Sequence, residues 1–137
     1  MAMKVSLVLT INNRPPDISK QVAESFMLPG NLPDEAIIVL DRPTPEARLG
    51  AVVAYEKLPC QVKFPEIEGP QGWICPARAW NRGYESATGD LIYAISSEVV
   101  QDAGNVDKMR EACSDMNTVT FGACHNSVAE NLVDGAE

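Results

Sequence analysis

Two nearly continuous apolar runs limit what this chain can fold into. They occupy residues 4–11 (KVSLVLTI) and 36–40 (AIIVL) and are rich in leucine and β-branched residues. A strand with one face in solvent alternates apolar and polar residues, whereas a strand covered on both faces stays largely apolar. The two runs therefore predict parallel strands inside a sheet that helices cover on both sides.

The segment after the first predicted strand carries helix signals. Asp17 is expected to cap a helix, because an aspartate side chain can accept a hydrogen bond from a free backbone N–H of the first turn. Ile18, Val22 and Phe26 then recur at the spacing of one helix face, and Pro29–Gly30 is a stop signal. The pattern predicts a first helix that ends at this proline-glycine pair.

A second helix is predicted directly after the second strand. Thr44 is a good capping residue, and Pro45 suits the first helical position because its missing N–H would have no partner there. Leu49, Val52 and Val53 are expected to form the apolar stripe of this helix.

Two more helices are predicted in the second half of the chain. One spans residues 76–88, with Gly89 expected as the left-handed residue that ends it. The other contains Val106, Met109 and Cys113, whose spacing is typical of one helix face.

Three further strands are predicted at residues 61–64, 91–95 and 119–123. Strands that alternate with helices indicate βαβ units, which build a parallel sheet. We therefore predict an α/β protein, a three-layer α/β/α sandwich with a mainly parallel sheet, formed by residues 1–126. The acidic tail, residues 127–137, is expected to be mobile or to need a partner.

The composition narrows the range of functions. The 137 residues are 45% hydrophobic and 22% charged, which is typical of one globular domain and not of a disordered chain. A net charge of −8 disfavours the phosphate backbone of nucleic acids and anionic lipid surfaces as partners. Because no apolar stretch reaches the ~18 residues of a membrane span, we expect no such span and a cytoplasmic protein.

The cysteines indicate neither a zinc site nor a disulfide scaffold. Cys60, Cys75, Cys113 and Cys124 form no C-x-x-C pair, and His125 is the sole histidine of the sequence. We expect reduced thiols that pack as small apolar side chains.

Polar residues follow three of the predicted strands directly. They are residues 12–14 (Asn-Asn-Arg), 41–42 (Asp-Arg) and 96–98 (Ser-Ser-Glu). The carboxyl ends of parallel strands meet at one edge of a sheet, where ligands bind in this class of fold. These residues are candidates for a shared ligand site, and the alternative is that they only begin ordinary loops.

The same segments carry a family resemblance. VSLVLTINNRP, DEAIIVLDRPTPE and CPARAWNRGYESATGDLIYAISSE, in that order, resemble the donor-binding half of family 2 inverting glycosyltransferases, which have the GT-A fold. The resemblance extends over residues 4–100. It implies a GT-A (Rossmann-like) domain that binds a nucleotide sugar, with a UDP sugar as the expected donor. If active, the protein would transfer the sugar with inversion to an acceptor hydroxyl.

The resemblance also implies roles for individual residues near the strand ends. Thr10, Asn12 and Arg14 would line the nucleoside pocket. Asp41 would accept hydrogen bonds from the base or the ribose.

Three residues of the third predicted helix are implied in donor binding as well, namely Arg78, Asn81 and Arg82. The two arginines are four residues apart and therefore share a helix face. The alternative for them is a solvated face of ion pairs with Glu56 and Glu85, and Asn81 could instead bind loop carbonyls.

Glu98 is the candidate metal ligand. It stands at the last acidic position of the family's Asp-x-Asp motif, which holds the divalent ion that bridges the donor diphosphate. The resemblance therefore implies Mn²⁺ or Mg²⁺, both of which prefer oxygen ligands. Ser96 and Ser97 occupy the first two positions of the motif, so one carboxylate is left.

The acceptor side has no assigned residues, and the catalytic residues are unknown. Family 2 enzymes use an Asp or Glu to deprotonate the acceptor hydroxyl, and no acid after Glu98 stands out as that base. We expect a second copy of the chain or a partner chain to complete the site for an unknown acceptor. The alternative is a catalytically degenerate GT-A domain that acts as a binding or assembly module in a larger complex.

Overall fold

The computed structural model describes residues 3–70, 75–115, 117–120 and 122. Strands and helices alternate along most of this length. Their bounds are β1 (Val5–Ile11), α1 (Pro16–Ser25), β2 (Glu35–Asp41), α2 (Pro45–Tyr55), β3 (Gln61–Lys63), β4 (Glu66–Ile67), α3 (Pro76–Ser86), β5 (Leu91–Ala94) and α4 (Asn105–Ala112). Within the described ranges, no helix is long and apolar enough to cross a membrane.

β1 lies inside a parallel sheet. The strand order is β3-β2-β1-β5, and β4 pairs with the carboxyl end of β2. Val8 of β1 lies opposite Ile37 of β2 on one side and Ala94 of β5 on the other. All of these strand pairs are parallel. The predicted α/β class with a parallel sheet is therefore confirmed.

Two apolar cores cover the two faces of the sheet. One core joins alternate residues of β1 and β2 to α1, α2 and Val106 of α4. The other joins Val8, Ile37 and Val39 to Ala79 of α3. Both strands are buried on both faces, which is why their sequences show little polar alternation. The predicted three-layer arrangement follows from these two cores.

The first helix begins earlier than predicted and lacks the predicted cap. α1 starts at Pro16, whose fixed φ suits the first helical turn. The prediction that Asp17 caps the helix is wrong, because Asp17 already lies in the first turn, where its negative charge still favours the helix N-terminus. The helix also ends at Ser25, ahead of the predicted stop at Pro29–Gly30.

The second helix has the predicted cap but a different buried face. The Thr44 hydroxyl accepts a hydrogen bond from the Ala47 N–H at 3.3 Å. Of the predicted apolar stripe, Val52 packs against the core, but Leu49 and Val53 are exposed, so the prediction is wrong at these two positions. A Cβ at Gly50 would lie 2.6 Å from the Cβ of Pro16, so α1 and α2 approach too closely there for large side chains. The buried residues of α2 are Ala47, Ala51, Ala54 and Tyr55.

Gly89 is needed for a reason other than the predicted one. It does not adopt a positive φ, and α3 ends at Ser86 with Ala87 extended. A Cβ at Gly89 would lie 2.5 Å from the Ser6 hydroxyl oxygen and 2.8 Å from the Lys4 carbonyl oxygen. The close approach of this turn to β1, and not a left-handed helix end, therefore requires glycine.

The predicted strand at residues 119–123 is not formed where it is described. Val119, Thr120 and Gly122 belong to no strand. The rest of that range and the predicted tail, residues 127–137, lie outside the described residues, so the division at residue 126 stays a prediction.

The described cysteines are free thiols. Cys60 and Cys113 are half-buried, and Cys75 is exposed. Burial raises the pKa of the Cys60 thiol, which keeps it protonated at neutral pH. Cys124 and His125 lie outside the described residues.

Candidate functional site

The carboxyl ends of β1 and β5 border a crevice in the sheet edge. β1 has β2 on one side and β5 on the other, so the strand order reverses at β1. In open parallel sheets, ligands bind at the carboxyl edge where the order reverses. The loop after β1 contains Arg14 and the loop after β5 contains Glu98, two of the predicted site residues.

Arg14 crosses this crevice. Its Nε donates a hydrogen bond to the Ser97 hydroxyl at 2.9 Å, and its Nη2 donates to Glu98 Oε2 at 2.9 Å. The Ser96 hydroxyl donates to the same Glu98 oxygen at 2.7 Å. We call these four residues the Arg14 cluster. The predicted convergence of polar residues after the first and fourth predicted strands is confirmed.

The Arg14 cluster is charged and accessible. The hydrogen bond from Ser96 and the positive charge of Arg14 lower the pKa of Glu98, so its carboxylate is ionised at neutral pH. The side chains of Arg14 and Glu98 are 34% and 48% exposed, whereas Ser97 is 6% exposed. A buried hydroxyl thus orients a guanidinium that a ligand can reach from solvent.

Asn12 joins the loops after β1 and β2. Its side-chain amide donates hydrogen bonds to the carbonyl oxygens of Asp41 at 2.8 Å and Arg42 at 3.1 Å. The Asn12 carbonyl in turn accepts a hydrogen bond from the Thr44 N–H at 3.1 Å. Both amide hydrogens are used by backbone partners, so Asn12 positions the two loops relative to each other.

Asp41 is paired with its neighbour Arg42. Asp41 is 3% exposed, and its Oδ1 accepts a hydrogen bond from Arg42 Nε at 3.0 Å. Arg42 has φ 44°, in the left-handed region that non-glycine residues rarely adopt, and its N–H donates to the Ile67 carbonyl at 2.9 Å. The Asp41 carboxylate is therefore buried beneath a guanidinium that already neutralises its charge.

The other predicted donor-binding residues lie on β1 and α3. Thr10 is half-buried on the same sheet face as Val8. The side chains of Arg78, Asn81 and Arg82 are exposed on α3, and no hydrogen bond or ion pair joins them to the residues that the structure describes. Arg78 lies in the first turn of α3, and the end of α3 meets the amino edge of the sheet, so this first turn points towards the carboxyl edge.

Sequence reasoning missed two features of the site. Ser97 is a buried partner of Arg14, although it stands at the variable position of the family motif. Arg42 has a left-handed backbone, and the Asp-Arg-Pro sequence predicts only a turn. Neither feature has a local sequence signal, because each depends on a contact with a distant segment.

The described residues do not supply a donor set for Mn²⁺ or Mg²⁺. In the described part of the chain, no three His, Cys, Asp or Glu side chains are grouped closely enough to hold a metal ion. The Glu98 oxygen that accepts from Arg14 also accepts from Ser96, and Asp41 is paired with Arg42. Glu98 and Asp41 therefore already have arginine partners, and a divalent ion bound to either carboxylate would lie beside a guanidinium of like charge, so the implied metal does not fit this arrangement.

Comparison with known proteins identifies the architecture. The chain is similar to the mannosyltransferase PcManGT from Pyrobaculum calidifontis, in a structure with GDP-Man and Mn²⁺, with a TM-score of 0.65 and 17% identity over 82% of this chain and 32% of that chain. It is also similar to TarS from S. aureus (residues 1–349), with a TM-score of 0.62 and 19% identity over 82% of this chain and 32% of that chain. No family model and no curated protein matches the sequence.

These similarities concern the fold. At 17% and 19% identity they show a shared Rossmann-like architecture with a parallel sheet. The chain spans about a third of the length of both structures, since it covers 32% of each.

Proposed function

We propose that this chain is the nucleotide-binding part of a glycosyltransferase-like protein and that a nucleotide sugar binds at the carboxyl edge of its sheet. The observation that carries the proposal is the Arg14 cluster, which places an accessible guanidinium across the crevice between β1 and β5. The shared fold with a mannosyltransferase bound to GDP-Man supports this choice of ligand.

In this proposal Arg14 contacts the diphosphate of the donor, and not the nucleoside as the resemblance implies, because its guanidinium lies at Ser97 and Glu98. The diphosphate gains negative charge as the bond to the sugar breaks, and a fixed cation stabilises that charge. A guanidinium suits this role because it is always charged and can donate two parallel hydrogen bonds to a phosphate. Arg78, in the exposed first turn of α3, is the second cation that we assign to the donor.

The nucleoside would lie over the ends of β1 and β2. Asp41 would accept hydrogen bonds from the base or ribose once Arg42 moves away from it, and Thr10 would line the pocket from β1. Asn12 would hold the two loops that form the pocket. We propose a UDP sugar as the first donor to test, with a GDP sugar beside it because the mannosyltransferase structure holds GDP-Man.

The proposed reaction is transfer with inversion. The acceptor hydroxyl oxygen attacks the anomeric carbon and forms the new glycosidic bond. The bond from that carbon to the diphosphate oxygen breaks, and the nucleoside diphosphate leaves with the electron pair. The hydroxyl proton goes to a carboxylate base, which we assign to a second copy of the chain or a partner chain that completes the acceptor site.

A binding or assembly module is the second candidate. It is favoured by the ion pairs at the site, because Arg14 and Arg42 neutralise the carboxylates that a catalytic donor site would use. Such a module would keep the fold without the chemistry.

Isothermal titration calorimetry with UDP, GDP and their sugar conjugates distinguishes the two candidates. We expect the wild-type protein to bind at least one of these nucleotides and Arg14→Ala to bind it about tenfold or more weakly, because a charge-assisted hydrogen bond is lost. Arg48→Ala is the matched control: Arg48 pairs with Glu66 at 3.1 Å on the other side of β2, away from the crevice. This variant should bind like the wild type.

Two outcomes would contradict the proposal. If no nucleotide binds at millimolar concentration, with or without Mn²⁺, the donor site does not function and the assembly module becomes the better description. If Arg14→Ala binds as tightly as the wild type, the nucleotide lies elsewhere on the molecule.

A further inference from the structure

We infer that the Arg14 cluster binds a diphosphate without a divalent metal ion, with the Arg14 guanidinium as the cation. For the nucleoside part of the ligand, the inference rests on the proposed function. For the diphosphate, it rests on the contacts that Arg14 makes with Ser97 and Glu98.

The Arg14 guanidinium lies against the carboxylate that the motif would use for a metal. Glu98 is the sole carboxylate left of the predicted metal motif, and its Oε2 accepts hydrogen bonds from Arg14 and from Ser96. A Mg²⁺ ion binds a carboxylate oxygen at roughly 2.1 Å and requires near-octahedral space around it. At Oε2 such an ion would displace both donors, and at the other carboxylate oxygen it would lie within a few ångströms of the Arg14 guanidinium, where like charges repel. Arg14 therefore supplies the positive charge beside Glu98 that a metal ion would supply in the motif.

Arg14 is also oriented before any ligand binds. Its Nε is held by the hydroxyl of Ser97, which is 6% exposed, while the side chain of Arg14 remains 34% exposed. A guanidinium that is fixed at Nε presents its terminal nitrogens in a set direction. This preorganisation reduces the rotamer freedom that a flexible surface arginine would lose on binding.

Charge balance also favours a phosphate as the ligand of Arg14. A phosphate oxygen can replace the Glu98 carboxylate as the acceptor for Arg14 Nη2, so one anion is exchanged for another. Glu98 is 48% exposed and can turn into solvent while it keeps its hydrogen bond to Ser96. In this exchange Glu98 competes with the phosphate for Arg14. In a metal site, by contrast, Glu98 would hold the ion to which the phosphate binds.

These two roles give opposite predictions for Glu98→Gln. If Arg14 binds the diphosphate directly, removing the competing charge leaves affinity unchanged or tightens it about tenfold, because Arg14 no longer has an ionised partner. If a metal ion binds the diphosphate, the same substitution removes the metal ligand and weakens binding. Glu66→Gln is the matched control, because it removes the carboxylate from the exposed Arg48–Glu66 ion pair away from the crevice.

The experiment is a calorimetric titration with inorganic pyrophosphate, UDP and GDP, each in EDTA and in saturating Mn²⁺. We expect equal affinities in the two buffers for the wild type. Arg14→Ala should lose about tenfold or more for every ligand, and Arg14→Lys should recover part of the loss because it restores a charge without the planar fork. Circular dichroism of each variant checks that the fold is intact.

The outcomes separate this inference from the proposed function. Nucleotide binding that requires Mn²⁺ and is weakened by Glu98→Gln would overturn the inference and leave the proposed function standing. Pyrophosphate binding in EDTA that depends on Arg14, with no tighter binding of nucleotides, would support the inference and contradict the proposed function. If no ligand binds in either buffer, both are wrong.

Discussion

The two edges of the sheet each hold a carboxylate with hydroxyl and cationic partners, but only one of them is open to solvent. At the amino edge, Glu35 is 0% exposed and accepts hydrogen bonds from the Ser6 hydroxyl, from the Thr88 N–H at 2.6 Å and from the Thr88 hydroxyl at 2.9 Å. The Lys63 ammonium lies 3.3 Å from its other oxygen. At the carboxyl edge, Glu98 is 48% exposed.

The amino-edge group, Glu35 with Ser6, Thr88 and Lys63, fixes the fold. It joins β1, β2 and β3 to the turn between α3 and β5, and the Gly89 N–H adds a hydrogen bond to the Ser6 hydroxyl at 2.8 Å. Burial raises the pKa of Glu35, but the hydrogen bonds from Ser6, Thr88 and Lys63 outweigh it and hold the pKa at about 2. This carboxylate stays ionised at neutral pH because these donors lower its pKa more than burial raises it.

Similar groups have different roles at the two edges because their exposure to solvent differs. A buried carboxylate with several fixed donors cannot change partners without exposing unpaired polar groups in the interior. A half-exposed carboxylate can turn into water at little expense. The amino edge is therefore suited to holding strands and helices together, and the carboxyl edge to exchanging Glu98 for a ligand.

The largest expected effect is on stability at the amino edge. Glu35→Gln should lower the free energy of unfolding by about 3 kcal/mol at pH 7, since a pKa of about 2 in place of 4.5 corresponds to that difference. Urea denaturation followed by circular dichroism measures it. Glu66→Gln, at an exposed ion pair, should change stability far less. Equal effects of the two substitutions would break the comparison.

The pH dependence of the same variants sharpens this test. Because the pKa of Glu35 is lower in the folded protein than in the unfolded chain, its contribution is complete above about pH 4.5 and is lost as the pH falls towards 2. The wild type should lose stability through this range more steeply than Glu35→Gln. Parallel acid profiles for the two proteins would show that Glu35 is not the titrating group.

A somewhat smaller effect is expected at the turn that the amino-edge group holds. Gly89→Ala should lower the free energy of unfolding by about 2 kcal/mol, because the new methyl group would press on the Ser6 hydroxyl and the Lys4 carbonyl. Gly122→Ala is the control, since a Cβ there meets no atom of the described residues within 4 Å. Its effect should stay within about 0.5 kcal/mol in the same urea titration. A neutral Gly89→Ala would mean that the turn can move away from β1.

The sequence predicts the sheet better than the contacts that hold it. β1 and β2 are buried on both faces, so their apolar runs predict both strand type and position. The role of Glu35 has no such signal, because its partners Ser6, Lys63 and Thr88 are 28 or more residues away along the chain. The apolar stripe predicted for α2 fails at two positions for a related reason, since its buried face depends on how closely α1 approaches.

For the candidate site, the sequence predicts which loops meet but not how their side chains pair. Parallel strands end at one edge, so Arg14 and Glu98 are expected to be near each other from topology alone. That Arg14 donates a hydrogen bond to the carboxylate that a metal would use is a matter of a few ångströms, which residue spacing cannot supply. Arg42 likewise combines a left-handed φ with a hydrogen bond to Ile67 in β4, and residue spacing predicts neither.

The smallest expected effect is the contribution of the Arg14–Glu98 ion pair to stability without a ligand. In a double-mutant cycle with Arg14→Ala and Glu98→Ala, the coupling free energy should stay below about 1 kcal/mol, because both side chains are partly exposed and screened by water. It should decrease with added salt and disappear at acid pH as Glu98 is protonated. Urea denaturation of the four proteins gives the value. A coupling as large as the effect of Glu35→Gln would make this pair a structural element like the amino edge, and Arg14 would then be held too firmly by Glu98 to exchange it for a phosphate.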